Sequence, residues 1–202
     1  FDNKLLTELT AYYMNAENLL VARRVAEDQF VGVNAGSTDH PGIEIAVRSN
    51  LNVDNWLNIQ PFANANFNFY TFDEFVDQEN NYSGNELTGV PSRQLSAGIE
   101  AQAFKRIHFY FQTNAISEIP VNDENTVYAN AYAFSNAKLA YELPLLNLLT
   151  ARFNVGINNL FNEQYAASVV TNAIGFGGSE PRYFYPGEPR NYFGSVALQV
   201  KF

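Results

Sequence analysis

Cysteine is absent from the 202-residue chain, which excludes disulfides, thiolate nucleophiles and cysteine-ligated zinc. The only histidines, His40 and His108, are far apart in sequence and suggest neither a metal site nor a histidine-based triad. No apolar run approaches the roughly 20 residues that a spanning helix requires. That excludes a helical membrane crossing only, because barrel strands never need such a run. Basic residues are few: 12 Lys and Arg against 21 Asp and Glu, a net charge of −9, with no basic tract. Phosphate neutralisation needs clustered cations, so nucleic acid is not an expected partner. The opening Phe1-Asp2-Asn3-Lys4 lacks the charged start and apolar core of a signal peptide, so the expectation is either no export or a beginning that lies elsewhere.

What the chain does have is alternation. Leu57, Ile59, Ala63, Ala65, Phe67 and Phe69 interleave with Asn58, Gln60, Asn64, Asn66 and Asn68, the period of a strand with one apolar and one polar face. The pattern recurs through about eight segments. The first begins at Leu5, and a returning strand carries Ile43, Ile45, Val47 and Leu51 against Glu44, Arg48 and Asn50. Short turns are expected at residues 52–55, at Lys105-Arg106 and from Pro144. Long polar connections are expected near residues 27–28, at 73–91, at 120–125 and at 162–190. The 12 Tyr and 17 Phe suit sheet packing and interfacial girdles alike.

The apolar face of these segments carries no charge. The other face carries Glu8, Glu44, Arg48, Glu100, His108, Lys138, Glu142, Arg152 and Lys201. A soluble sandwich also hides one face, but its hairpins need not alternate long with short. Here they do, and that combination is the signature of a transmembrane β-barrel.

Three motifs carry a resemblance. Asn158-Asn159-Leu160-Phe161-Asn162-Glu163-Gln164-Tyr165, then Pro181-Arg182-Tyr183-Phe184-Tyr185, then a final strand ending in Phe202, together resemble the carboxyl end of TonB-dependent outer-membrane receptors. Asn34-Ala35-Gly36 followed by Gly42-Ile43-Glu44 resembles a descending strand of that family, and residues 81–91 resemble its Bacteroidetes members. The resemblance implies an all-β fold of antiparallel transmembrane strands, belonging to the C-terminal part of a barrel of about 22 strands. On this expectation residues 1–202 are one barrel portion, with the plug domain and the N-terminal strands outside the chain. It further implies TonB-energised import of a scarce large solute across the Gram-negative outer membrane. Ferric siderophores are the commonest cargo, and cobalamin, haem, other metals and glycans are alternatives. A self-closed eight-stranded structural or adhesion barrel is the competing expectation.

The implied partners are the rest of the barrel and its plug, TonB, the barrel assembly machinery, and outer-membrane lipid and lipopolysaccharide. No cofactor is implied. No nucleophile and base are arranged for an enzyme, and the stretch from Gly175 to Gly178 has no strand-to-helix context for holding phosphate. Tyr82, Arg182, Tyr183 and Tyr185 are candidate ligand contacts in outer loops, or else part of an aromatic girdle. Glu44, Arg48, Glu100 and Arg152 face either a plug or solute, or one another in a hydrogen-bonded wall. The loop acids Asp73, Glu74, Asp77, Glu79, Asp123 and Glu124 could recruit cations or form a solvated face. By the resemblance, the terminal aromatic Phe202 is a signal to the assembly machinery.

Overall fold

The computed structural model describes residues 4–200 except 19, 27–28, 35, 78 and 176, without the side chains of 21–24. Its frame is eight long strands: β1 (Leu5–Tyr12), β2 (Gly42–Ser49), β3 (Leu57–Asn68), β4 (Arg93–Ala103), β5 (Ile107–Ile116), β6 (Tyr132–Leu146), β7 (Leu149–Asn158) and β8 (Asn191–Val200). Each pairs antiparallel with its neighbour in sequence, in one up-and-down sheet. β1 and β8 do not pair with each other, so the sheet is open and the self-closed eight-stranded barrel is not formed. No helix occurs among the described residues. Strands of about 9–11 residues cross a bilayer when tilted, and β4, β5, β7 and β8 have 11, 10, 10 and 10 residues.

The register fixes the faces. Leu9 lies opposite Ile45, Ala65 opposite Leu95, Phe111 opposite Ala137, Leu139 opposite Val155 and Phe153 opposite Val196. Partners across an antiparallel pair share a face, so these residues form one continuous apolar surface. It is exposed, with Leu9 at 71% and Leu198 at 66%. Its one charged residue within the strands is Arg93, opposite Phe67 at the outer end of β4. There a guanidinium can reach the headgroup level along its own stem.

Turn chemistry sorts the two rims. Three short connections lie at one end. Of these, the β4–β5 turn has positive φ at Phe104 (50°) and Lys105 (58°) and closes with Arg106 N–H donating to the Ala103 carbonyl. This mirror-image turn matches strand twist. The turn expected at 52–55 falls instead at Asn55 and Trp56, because Leu51–Asp54 still pairs with β3. The ladder between β2 and β3 stops after Arg48↔Phe62 and resumes in register at Leu51↔Ile59. The gap falls at Pro61, which has no N–H to donate. Nor does Pro144 start a turn: β6 runs on to Leu146 through an irregularity at that proline, and the turn is Asn147-Leu148.

At the other rim the four connections are long, and the buried apolar core lies among them. Phe72 and Phe75, each 1% exposed, pack with Leu87 against Val33, Tyr70, Tyr82 and Val90. Ile119, Val121 and Ala129 pack against Val169 and Tyr183. A barrel wall needs no core of its own, since lipid and lumen cover its faces; free-standing loops do need one. Residues 73–91 are therefore a packed unit rather than the open polar loop their composition suggests.

The faces yield a prediction. Phe111 and Leu139 lie mid-strand on the apolar face, and arginine at either should cost about 2–4 kcal/mol. Asn64→Arg, on the polar face, should cost less. Urea titration read by heat-modifiable gel mobility checks this, and equal losses would invalidate the face assignment.

Candidate functional site

The polar face carries a hydrogen-bonded wall. Arg48 Nη2 stands 3.1 Å from Glu100 Oε1, and Arg152 Nη1 stands 3.3 Å from Glu142 Oε1. His108 Nε2 is also 3.3 Å from Glu142 Oε1, but it lies off the hydrogen-bonding direction and has no hydrogen-bond partner. Gln112 donates to Ser96 Oγ (2.6 Å) and Asn114 Oδ1 (3.1 Å), and Asn58 donates to Asn50 and Asn52. The Lys138 ammonium sits 5.5 Å from the Tyr110 ring centre. Of the four lumenal candidates, Arg48, Glu100 and Arg152 are therefore occupied by neighbours within the wall. Glu44, opposite Asn66 and Thr10, lies on the same face near the outer end. A groove of about 380 Å³ runs along this face between Gln60, Glu100, His108, Tyr110, Lys138 and Arg152.

Two glycines flatten this face. Gly98 lies opposite Phe62 and Gly156 opposite Phe193. A Cβ at either would come within 2.5 Å of the facing ring, so each ring rests on the bare backbone of the next strand.

The outer segments are tied together by backbone and amide chemistry. Ser37–Asp39 pairs with both Asn15–Glu17 and Thr71–Glu74, joining the first two loops in one small sheet. At its margin Asn15 and Tyr13 donate to Asp39 Oδ1, at 2.9 and 2.6 Å, and hold its carboxyl below the usual range. That contribution is complete above the ordinary carboxylate pKa and is lost as pH falls through the lowered one. Asp123 is the node of the other three segments. Asn172 donates to its Oδ2 at 2.9 Å, the Thr88 hydroxyl donates to its Oδ1, and Asn85 donates to its carbonyl at 2.7 Å.

The Asn-Leu-Phe-Asn motif turns out to be a clamp. Asn159, 2% exposed with φ 50°, donates from Nδ2 to the carbonyls of Glu163 and Glu188. Asn162 Oδ1 accepts from Arg190 N–H, and the Tyr165 carbonyl accepts from Gly187 N–H. Tyr165 also stacks on Phe134 at 4.9 Å. The motif thus closes both ends of the last long segment.

All four outer segments meet at one cavity of about 380 Å³. Val33 comes from the first, Phe75, Asp77 and Tyr82 from the second, residues 122–124 from the third, and residues 172–174 with Tyr183 from the fourth. Tyr82 and Tyr183 are thus brought together as the sequence expectation placed them. Arg182 and Tyr185 are not among the lining residues; both are exposed, Tyr185 at 63%. Sequence reasoning missed Phe75, Asn122 and Asn172 as site residues. Phe75 left a signal, the last of four aromatics with Phe69, Tyr70 and Phe72 at the head of a polar stretch; the two asparagines left none. Phe202 lies outside the described residues.

An open antiparallel meander whose apolar face carries one charge, Arg93 at a strand end, with a hydrogen-bonded face opposite and a loop-built cavity at one rim, has the form of a transmembrane barrel wall. The chain belongs to the TonB-dependent receptors: residues 1–160 match the family described as TonB dependent receptor-like, beta-barrel. No curated protein matches the chain. Among solved structures it is similar to the siderophore receptor PiuA from Acinetobacter baumannii, with 15% identity, a TM-score of 0.69, and 98% of this chain covering 26% of that one. It is also similar to the ferric-catecholate import receptor Fiu of E. coli K12, at 20% identity and 0.67, with 98% covering 25%. For the ferric citrate transporter FecA the values are 16% and 0.70, with 98% covering 29%. The chain spans about a quarter of the length of these receptors.

Removing the node tests the loop architecture. Asp123→Ala should open segments 73–91 and 162–190 to limited proteolysis on intact cells while barrel heat-modifiability stays unchanged. An unaltered cleavage pattern would show that Asp123 does not hold these loops.

Proposed function

We propose that this chain is the C-terminal portion of the barrel of an outer-membrane active-transport receptor, whose plug and remaining strands lie outside residues 1–202, and that its cargo is a ferric siderophore or another iron complex. The observation that carries the reading is the superposition of nearly the whole open sheet on one quarter of receptors whose names specify siderophores, ferric catecholates or ferric citrate. In this reading the outer cavity around Tyr82 and Tyr183 meets the solute, and Arg182 and Tyr185 contact it from the exposed rim. Glu44, Arg48, Glu100 and Arg152 line the path beside the plug. No bond is made or broken: TonB-transmitted energy rearranges the plug and the solute passes along a wall that stays fixed. Phe202 serves as the assembly signal, so its deletion lowers the assembled amount more than the melting temperature of what assembles.

Deleting the gene tests the cargo class. Uptake of at least one radiolabelled ferric complex under iron limitation should be lost, and an uncoupler should abolish it in the wild type. Unchanged uptake of all ferric complexes would shift the cargo to the other solutes of the family. Topology has its own check: cysteine at Ser83 or Ser179 should react with an impermeant thiol reagent on whole cells. Labelling only after lysis would invert the orientation.

A further inference from the structure

Arg93 is the one charged residue on the apolar face of the described strands. It is exposed at the outer end of β4, between its register partner Phe67 on β3 and Ser117 just past β5. Its backbone is pinned there: Ser117 N–H donates to the Arg93 carbonyl at 3.0 Å, and Arg93 N–H donates to Ser117 Oγ at 3.1 Å. The guanidinium has no ion pair among the described residues, not even with Glu118 next to Ser117, whereas Arg48 and Arg152 on the opposite face each have a glutamate. A cation beside hydrocarbon is costly without an anion or polar headgroup, and the flanking strands β3 and β5 contain no carboxylate.

Beneath Arg93 the same face is built of small side chains. The two rows below it, from Ala65 to Ala133 and from Ala63 to Ser135, hold nothing larger than threonine except Leu95. Ile99 and Phe111 then begin a bulkier half that continues through Leu139 and Tyr141. The stretch from Arg93 to Ile99 runs about 20 Å along the strand, or about 14 Å of depth at a tilt near 45°. That is one leaflet's share of a hydrocarbon core about 30 Å thick. The shallow field of small residues thus spans the outer leaflet, with the cation at its headgroup edge.

A guanidinium takes phosphate oxygens in pairs, in a fork that suits their geometry. A floor of methyl groups lets an acyl chain lie closer to the backbone than bulky side chains would. We infer that Arg93 and the field below it hold one phosphorylated lipid of the outer leaflet, with the guanidinium on a headgroup phosphate and a chain against the alanines. A free phosphate would use Arg93 alone and leave the field empty. The inference rests on the membrane placement of the wall in the reading above and not on its iron cargo.

The test uses the full-length receptor purified in a phosphate-free detergent, with bound lipid counted by native mass spectrometry. The probes are diphosphoryl lipid A, the same lipid with its phosphates removed, and inorganic phosphate. The wild type should retain one diphosphoryl lipid A on the order of tenfold more tightly than the dephosphorylated form, as a charge-assisted contact requires. Arg93→Gln should abolish that preference and Arg93→Lys should keep part of it. The Ala115→Phe, Ala133→Phe double variant should weaken both lipids while the preference for phosphate persists. Heat-modifiable gel mobility shows that each variant is a folded barrel. Equal retention of the two lipids by the wild type, or a preference that Arg93→Gln leaves intact, overturns the inference. Displacement of lipid A by millimolar inorganic phosphate, or unchanged retention in the double variant, also overturns it by reducing the site to a bare anion contact. A doubled mass that Arg93→Gln returns to the single chain replaces the lipid with a second copy of the receptor. Retention of no lipid of either kind overturns the membrane placement as well, and lost ferric uptake on gene deletion stands or falls separately.

Discussion

Hydrocarbon offers no hydrogen bonds, so every backbone N–H and C=O that enters it must find a partner within the protein. The eight-strand meander follows from that constraint. Each strand pairs with its sequence neighbour in unbroken register over 8 to 11 residues for most pairs, and the turns at one rim are as short as strand twist allows. Side chains are then free to differ between faces, because the sheet itself is already satisfied. An exterior with a single strand-end charge and a charge-laced opposite face can coexist only on such a frame.

Apolar cohesion in this molecule sits where the frame ends. The strands bury little against one another, and their large apolar side chains remain exposed to what surrounds them. The loops bury Phe72, Phe75 and Val121 almost completely. Two different stabilising principles thus operate along one chain. Ladder hydrogen bonds and lipid contact hold the wall, while small hydrophobic cores and amide networks hold the mouth. The cavity belongs to the second regime: Asp123 and Asn172 both line it and tie its segments together.

Period-two patterning is local, so the strand faces were legible in the sequence: Ile43, Phe67, Leu139 and Val196 fall on one surface as alternation requires. Strand ends were less legible. Pro144 and residues 52–54 carry turn composition, yet neighbouring strands supply partners that keep them in the ladder. The outer mouth was legible only in fragments, because Tyr82 and Tyr183 are 101 positions apart and no periodicity links segments that meet through tertiary hydrogen bonds. The Asn-Leu-Phe-Asn run was visible as a motif, but its task of closing a long segment on itself becomes apparent only once Asn159 is seen beside Glu188.

The glycines facing Phe62 and Phe193 set the relief of the polar face. An aromatic side chain standing upright from a barrel wall would project into the bore and narrow it. Laid over the bare backbone of Gly98 or Gly156, the same ring becomes part of the wall's surface. Rings set in this way give the interior a low-relief lining. Such a surface presents no upright ring at these two positions to whatever faces it.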